Sequence, residues 1–370
     1  MSVRGRGYSV LIVGGGPAGL AVATGLARRG IHAIVVERSA YDDVRIGEHL
    51  PPAAVLQLGM LDPGLCTQGE DYFPSAGVMA YWGSEIAHHM DYFLHPGQRG
   101  LNVCRPRFDA DLARTAESAG ATILRSASLQ SAVMNKLLWK VDIRLNGKLD
   151  TGSVSAVVDA TGRAATFSRR QGARIRAHDH QVAVVAFQNA LNQGCPDTRS
   201  LVEAAETGWW YCAPINPNRS ICMFMTDDDL LPRGDKRELT AWWHGQLSRT
   251  VHMPRQLREF TQATDIVTRS ARSQCVSVQS GSGWLAVGDA AMAFDPLASQ
   301  GIAKALEHGR RAAESVSDYV AGDGSALERF ALHAEHEYAV YRTTRARYYR
   351  LETRWPRSTF WKRRHNTMTL

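Results

Sequence analysis

Glu48 and His49 stand side by side in the stretch Arg45-Ile-Gly-Glu-His-Leu-Pro-Pro52. A carboxyl beside an imidazole offers two groups able to hold or pass a proton, provided the site is shielded from water. The competing expectation is that Glu48 only caps the loop and that His49 is packed or solvated. Upstream, Gly14-Gly15-Gly16-Pro17-Ala18-Gly19 satisfies GxGxxG through Gly14, Gly16 and Gly19. Gly14 permits a tight turn, Gly16 lets the backbone approach a pyrophosphate, and Gly19 allows close packing of helix on strand. Pro17 and Ala18 open the helix, whose free N–H groups and positive dipole end suit phosphate. Glu37, 18 residues beyond Gly19 and followed by Arg38, is placed to accept hydrogen bonds from ribose hydroxyls.

These groups need a scaffold. Residues 8–13 form a short apolar, β-branched run of the buried parallel-strand type. The spacing predicts a helix over 17–29, with Ala18, Ala21 and Gly25 on one face able to lie close to the sheet. Gly30 breaks that helix and residues 31–36 read as the second strand. Strand, glycines, helix, strand and acid in register make a dinucleotide site, with NAD and FAD both open at this point.

Two later stretches favour FAD. Trp284-Leu-Ala-Val-Gly-Asp-Ala-Ala291 reads as a strand ending in Gly288-Asp289, and an aspartate at a strand's end suits the ribityl hydroxyls of a flavin. Phe294-Asp-Pro-Leu-Ala-Ser-Gln-Gly-Ile302 puts Pro296, Gly301 and Ile302 at the entrance of a long helix reaching about Val320. Its amides are expected to face the pyrimidine edge, where reduced flavin carries negative charge. Val157-Val-Asp-Ala-Thr-Gly-Arg163 is a third strand turning sharply at Gly162, with Asp159 and Gly162 expected at the cofactor.

Together these motifs resemble the flavoprotein family of para-hydroxybenzoate-hydroxylase-like monooxygenases, flavin-dependent halogenases and geranylgeranyl reductases, over nearly the whole chain. Arg105-Pro-Arg-Phe-Asp109 is similar to the family's Arg-x-x-Phe-Asp stretch, whose arginine reaches the flavin side. The loop carrying Arg45, Gly47 and Glu48 resembles the halogenase-like branch and is expected against the flavin ring. The resemblance implies an α/β fold with an α+β insert: a glutathione-reductase-type Rossmann FAD domain with an interleaved large-sheet substrate domain and C-terminal helices. The FAD domain is expected from 1–72, 105–177 and 281–325, the substrate domain from 73–104 and 178–280, and a basic helical tail from 326–370.

The resemblance also implies chemistry: oxygen transfer to an electron-rich aromatic ring through a flavin C4a-hydroperoxide, with molecular oxygen and an external reductant or reductase. Asp159-Ala-Thr-Gly162 replaces the Asp-Gly pair that serves FAD and NADPH together, so direct use of a nicotinamide nucleotide is not expected. Halogenation is disfavoured, because no WxWxIP stretch occurs and no lysine precedes Lys136. Gly208-Trp-Trp-Tyr-Cys-Ala-Pro214 and the tail Tyr349-Arg-Leu-Glu-Thr-Arg-Trp-Pro-Arg-Ser-Thr-Phe-Trp361 look like the flavoproteins that hydroxylate a partner's tryptophan in tryptophylquinone biogenesis. A monooxygenase of a small aromatic metabolite and a flavin-dependent reductase or dehydrogenase of an apolar substrate are the alternatives. Trp82, Trp209, Trp210, Tyr211 and Phe294 are candidate pocket aromatics, each equally an ordinary core residue.

Composition sets the outer bounds. The 370 residues, 44% hydrophobic and 21% charged, suit a globular chain with a substantial core. No apolar run is long enough for a membrane span, and the basic N-terminus runs straight into the first strand, so a cytoplasmic location is expected. Six scattered cysteines form no zinc or disulfide pattern, and His88, His89 and His95 complete no ligand set, so no metal is expected. Nine lysines and arginines cluster between Arg342 and Arg364 against the single acid Glu352. That segment is read as either a solvated helix face or a docking surface, centred on Arg345, Arg347 and Arg350, for an acidic protein substrate. No recognised nucleic-acid module accompanies it.

Overall fold

The computed structural model describes residues 9–65, 71–94, 99–191, 197–258, 260, 261, 263 and 265–366. Tyr8, Cys66, His95 and Cys195 lie outside them. The first strand, Val10–Val13 (β1), is buried along its length, as four consecutive apolar residues in a parallel sheet must be. It pairs in parallel with Ala33–Val36 (β2) on one side and Ala156–Asp159 on the other. Thr122–Leu124 extends the sheet beyond β2, and Trp284–Ala286 and Ser280–Gly281 extend it beyond Ala156–Asp159. The first helix, Pro17–Arg28 (α1), connects β1 to β2.

The small-residue face of α1 meets a helix rather than the sheet. Ala21 lies against Gly309, and a side chain at Gly25 would approach Ala313 Cβ to 2.6 Å. Both partners belong to the Gly301–Val320 helix, so glycine and alanine let the two helix axes come close. An antiparallel meander of Ala127–Asn135, Leu138–Leu145 and Lys148–Val154 leads into the strand at Ala156.

The second sheet has seven strands in the order Ile266–Ser270, Gln181–Asn189, Arg219–Asp227, Gly208–Asn216, Ser200–Ala205, Gly77–Tyr81 and His88–Asp91. The 208–216 and 219–227 strands form a hairpin whose turn falls at Pro217 and Asn218, where the sequence Asn-Pro-Asn-Arg signals one. Trp82, Trp209, Met225, Tyr349, Phe360 and Trp361 pack as a separate apolar cluster on one face of this sheet. The last three come from the Ala326–Arg350 and Thr359–His365 helices, so the C-terminal segment builds a core wall. No helix among the described residues is long and apolar enough to cross a membrane.

Candidate active site

A cavity of about 1230 Å³ runs from the carboxyl ends of the parallel strands to the inner face of the seven-stranded sheet. Val13, Val36, Ala160 and Val287 line the first region; Ala183, Tyr211, Met223 and Met225 line the second. A crevice at the ends of parallel strands is where open α/β sheets bind ligands.

The glycine loop shapes one end. Gly14 has φ +107°, and a side chain there would collide with the Ala160 carbonyl. Gly19 closes on the Gly14 carbonyl, whereas a Cβ at Gly16 would project into open space. No side chain caps α1 at Gly16, so its first N–H groups remain available to an anion. Glu37 Oε2 accepts from Gly15 N at 2.7 Å, while Oε1 accepts from Ser39 N at 3.0 Å and from Arg45 at 2.9 Å. Burial alone would raise the Glu37 pKa; these hydrogen bonds and the charge of Arg45 outweigh it and hold the group ionised. Arg45 also bonds Asp109 at 2.9 Å, and Arg105 holds the same carboxylate at 3.2 Å. Arg38 lines the same end.

Glu48 is fully buried in the loop between the two regions, and Oε2 accepts from Gly47 N at 2.9 Å. Oε1 has no partner among the described residues. Burial pushes its pKa up to about 7, with the Gly47 amide and Arg105 opposing only in part. Gly47, at φ +112°, lies beneath Arg105, whose guanidinium would obstruct any side chain there. His49 also lines the cavity but has no free nitrogen: Nδ1 lies 3.1 Å from Asn102 Oδ1, and Nε2 lies 3.0 Å from the Tyr92 hydroxyl. Burial lowers its pKa, and both ring nitrogens are engaged within the fold.

The strand-end aspartates divide in the same way. Asp289 lines the cavity and meets Lys304 Nζ at 2.9 Å and Arg163 Nε at 3.7 Å. Burial would raise its pKa, but Lys304 and Arg163 overcome that and keep it ionised. Asp159, expected at the cofactor, turns away. Oδ1 accepts from Thr161 N and Oγ1, and Oδ2 from Ser168 N and Oγ. Its carboxylate is completely buried and braces the turn that places Ala160 and Gly162 at the cavity. Gly288 also stays behind the wall, where a side chain would come within 2.8 Å of Ala18 Cβ. Pro296 starts a separate single turn, Pro296–Ala298, and Ser299 reverses the chain at φ +48° before the helix begins at Gly301. Pro296, Gly301 and Ile302 nevertheless share the cavity lining.

A cavity with a glycine cradle at one end, the buried Glu37 carboxylate beside it and a helix N-terminus at the far end fits an extended dinucleotide. Residues 7–329 match the FAD binding domain family. The chain belongs to that family. FAD is its cofactor, and it is an FAD-dependent oxidoreductase. Over 97% of both chains it is 29% identical to LodB of Marinomonas mediterranea, a protein named as an FAD-dependent oxidoreductase. It is 24% identical to the flavin-dependent halogenase armH1 of Armillaria mellea, across 88% of this chain and 67% of that one. In fold it is similar to the flavin-dependent halogenase CmlS, with a TM-score of 0.87 at 22% identity, covering 99% of this chain and 68% of CmlS. The peptidyl tryptophan dihydroxylase QhpG gives a TM-score of 0.81 at 22% identity, covering 97% of this chain and 79% of QhpG.

Within this flavoprotein, only Tyr211 and Phe294 of the five candidate aromatics line the cavity. Trp82 and Trp209 pack edge-on, 6.1 Å apart, behind its wall, and Trp210 faces the opposite side of the sheet against Trp243. The basic tail is also redistributed. Arg345 is buried between Asp179 (2.9 Å) and Asp295 (2.8 Å), and Arg364 is buried on Asp227 at 2.9 Å. Arg363 pairs with Asp227 and Asp229, and Arg354 with Glu352. Arg345 is therefore a core residue and not part of a docking face, because its partners are acids distant in sequence. Arg347, Arg357 and Lys362 remain exposed. His88 and His89 are exposed, with His89 Nδ1 3.2 Å from Arg199. Arg163 and Asp295 fall inside the 157–163 and 294–302 stretches without a role of their own there, and Lys304 lies outside every motif. A lysine among the apolar positions of the 301–320 helix was the one local sign.

Proposed function

We propose that this flavoprotein hydroxylates an electron-rich aromatic ring, and that the ring is a tryptophan side chain of a partner polypeptide. The observation that carries the reading is Glu48, a buried carboxyl with one oxygen unpartnered among the described residues and a pKa near neutrality at the junction of the two cavity regions. Bound FAD supplies the electron transfer and oxygen activation. The chain's own groups then have distinct tasks. Gly14, Gly16, Pro17, Ala18 and Gly19 form or support the pyrophosphate cradle, and Glu37 with Arg38 takes the ribose end. Asp289, Pro296, Gly301 and Ile302 face the ribityl and ring end, with Gly162 and Gly288 shaping the wall. Arg45 and Arg105 lock the Glu48 loop through Asp109, and Gly47 gives that loop its turn. Glu48 holds the proton that a departing oxygen requires, while Tyr211, Met223 and Met225 exclude water around the ring.

Halogenase relatives make halogen transfer the second reading. Among the described residues no lysine lines this cavity, and Lys304 is committed to Asp289 behind it, which supports oxygen transfer instead. The likeness to QhpG, named for peptidyl tryptophan, supports a polypeptide substrate, with exposed Arg347, Arg357 and Lys362 beside Tyr348 and Leu351 as the docking face. The test supplies reduced holoprotein with heavy-isotope oxygen gas, halide salt, and either a short tryptophan-bearing peptide or free indole. Labelled oxygen in the peptide supports the reading. Labelled oxygen in indole alone overturns the polypeptide part, and halide incorporation or no incorporation overturns hydroxylation.

A further inference from the structure

The charged groups around the cavity are almost all matched. Asp289 is balanced by Lys304, Asp295 by Arg345, and Asp109 by Arg45 and Arg105. Glu48 is buried without a cation in contact. Arg269 is different. It lines the cavity from the Ile266–Ser270 edge strand, is exposed at the rim, and makes a single described hydrogen bond, to the carbonyl of the neighbouring Thr268. Its direct partner across the ladder is Ala183, whose next partner is Met225. Directly paired residues share a face, so Arg269, Ala183 and Met225 form one row across the floor of the substrate region. Alanine in the middle leaves room above the floor between the cation and the apolar wall. The other exposed arginines of the lining, Arg38 and Arg170, belong to the nucleotide end, where Arg170 donates to the Gln130 carbonyl at 3.1 Å.

We infer that Arg269 is a specificity-determining residue that binds a carboxylate carried next to the aromatic ring of the substrate. The inference rests on the aromatic-ring reading given above and adds the charge of the substrate. The same chemistry has two sources, a free aromatic acid or an acidic side chain neighbouring a tryptophan in a polypeptide. A charge-assisted pair with a guanidinium is strong enough to impose such a preference, and it weakens with salt because the site is at the rim.

The test is equilibrium binding to oxidised FAD-loaded protein, followed by perturbation of the flavin absorbance, with indole propionate, indole propionamide and tryptamine as probes. The wild type is expected to bind the carboxylate about tenfold or more tightly than the amide. Arg269→Gln should bring that ratio below about twofold, and Arg269→Glu should favour tryptamine, both with FAD retained. A second arm compares acetyl-Trp-Glu-amide with acetyl-Trp-Gln-amide. Preference for the acidic peptide assigns the carboxylate to a polypeptide, whereas preference for indole propionate alone assigns it to a small acid. An unchanged ratio in FAD-loaded Arg269→Gln, or a wild type that binds the amide as tightly as the carboxylate, overturns the inference. Binding needs no turnover, so failure of oxygen incorporation leaves this measurement standing on its own.

Discussion

Asp295 and Arg345 meet at 2.8 Å between Oδ2 and Nε, both buried, 50 residues apart in sequence. The contact ties the turn before the Gly301–Val320 helix, which lines the cavity, to the long C-terminal helix. Tyr349 reinforces it by donating its hydroxyl hydrogen bond to the same Oδ2 at 2.8 Å, and its ring lies under the Arg345 guanidinium. Burial would raise the Asp295 pKa, but the guanidinium outweighs burial and keeps the carboxylate ionised. The C-terminal helix thus acts as a structural back to the substrate region.

Removing one member of this buried pair leaves the other charge unmatched in a dry setting. Arg345→Ala is expected to lower unfolding free energy by about 3–5 kcal/mol, whereas Arg347→Ala, on an exposed face, changes it by less than about 0.5 kcal/mol. Urea unfolding of the two holoproteins measures the difference. Equal stabilities would show that the pair contributes nothing to holding the wall.

Gly14 and Gly16 should fail differently. At Gly14 an added Cβ meets the Ala160 carbonyl in a left-handed backbone, so Gly14→Ala destabilises the apoprotein and removes FAD together. At Gly16 the Cβ meets no protein atom, so Gly16→Ala keeps apoprotein stability within about 1 kcal/mol and weakens FAD binding through the cofactor's own approach. Thermal unfolding without FAD, paired with FAD titration by fluorescence quenching, separates the two. A fully flavinated Gly16→Ala protein would refute the cradle assignment.

The parallel sheet was legible because local chemistry alone determines it: four apolar residues, three spaced glycines and an acid at a strand end make β1, α1 and β2 recognisable. Register across the seven-stranded sheet was not, since Ala183, Met225 and Arg269 are brought together by pairing among strands far apart in sequence. Charge was legible as a sum and misleading as a surface. Arg345, Arg363 and Arg364 form a basic run in the sequence, but their acidic partners, Asp179, Asp227, Asp229 and Asp295, lie far upstream. Glu48 was visible as a candidate, while its unpaired oxygen depends on burial that no short motif encodes.

Asp159 offers a check on the reassignment from cofactor contact to turn brace. Asp159→Ala deletes the acceptor for two amides and two hydroxyls inside the fold. A loss of about 2–4 kcal/mol in apoprotein stability is expected, because each buried donor left unpaired costs about 1–3 kcal/mol and relaxation recovers part of it. Ser168→Ala, which removes one hydroxyl without orphaning the amides, should cost about 1 kcal/mol. A variant at Asp159 with wild-type apoprotein stability and lost FAD affinity would restore the cofactor role.

Glu48 gives the reaction its expected pH dependence. Burial raises its folded pKa to about 7, above the ordinary glutamate value of 4.5, so folding favours the protonated acid. The sign follows from proton uptake: the native state binds more protons than the unfolded chain between those two values, and stability falls as pH rises through that window. Glu48→Gln removes the titration, so the variant should match the wild type at low pH and gain up to about 3 kcal/mol relative to it above pH 7. Oxygen transfer that uses the protonated acid should decline as pH rises through about 7 in the wild type, with the glutamine variant slow and without that limb. Single-turnover rates of labelled-oxygen incorporation across pH, alongside urea unfolding at each pH, test both halves. If Glu48→Gln keeps the wild-type rate limb, another group carries the proton. If its stability also tracks the wild type across pH, the carboxyl is not held in the neutral form.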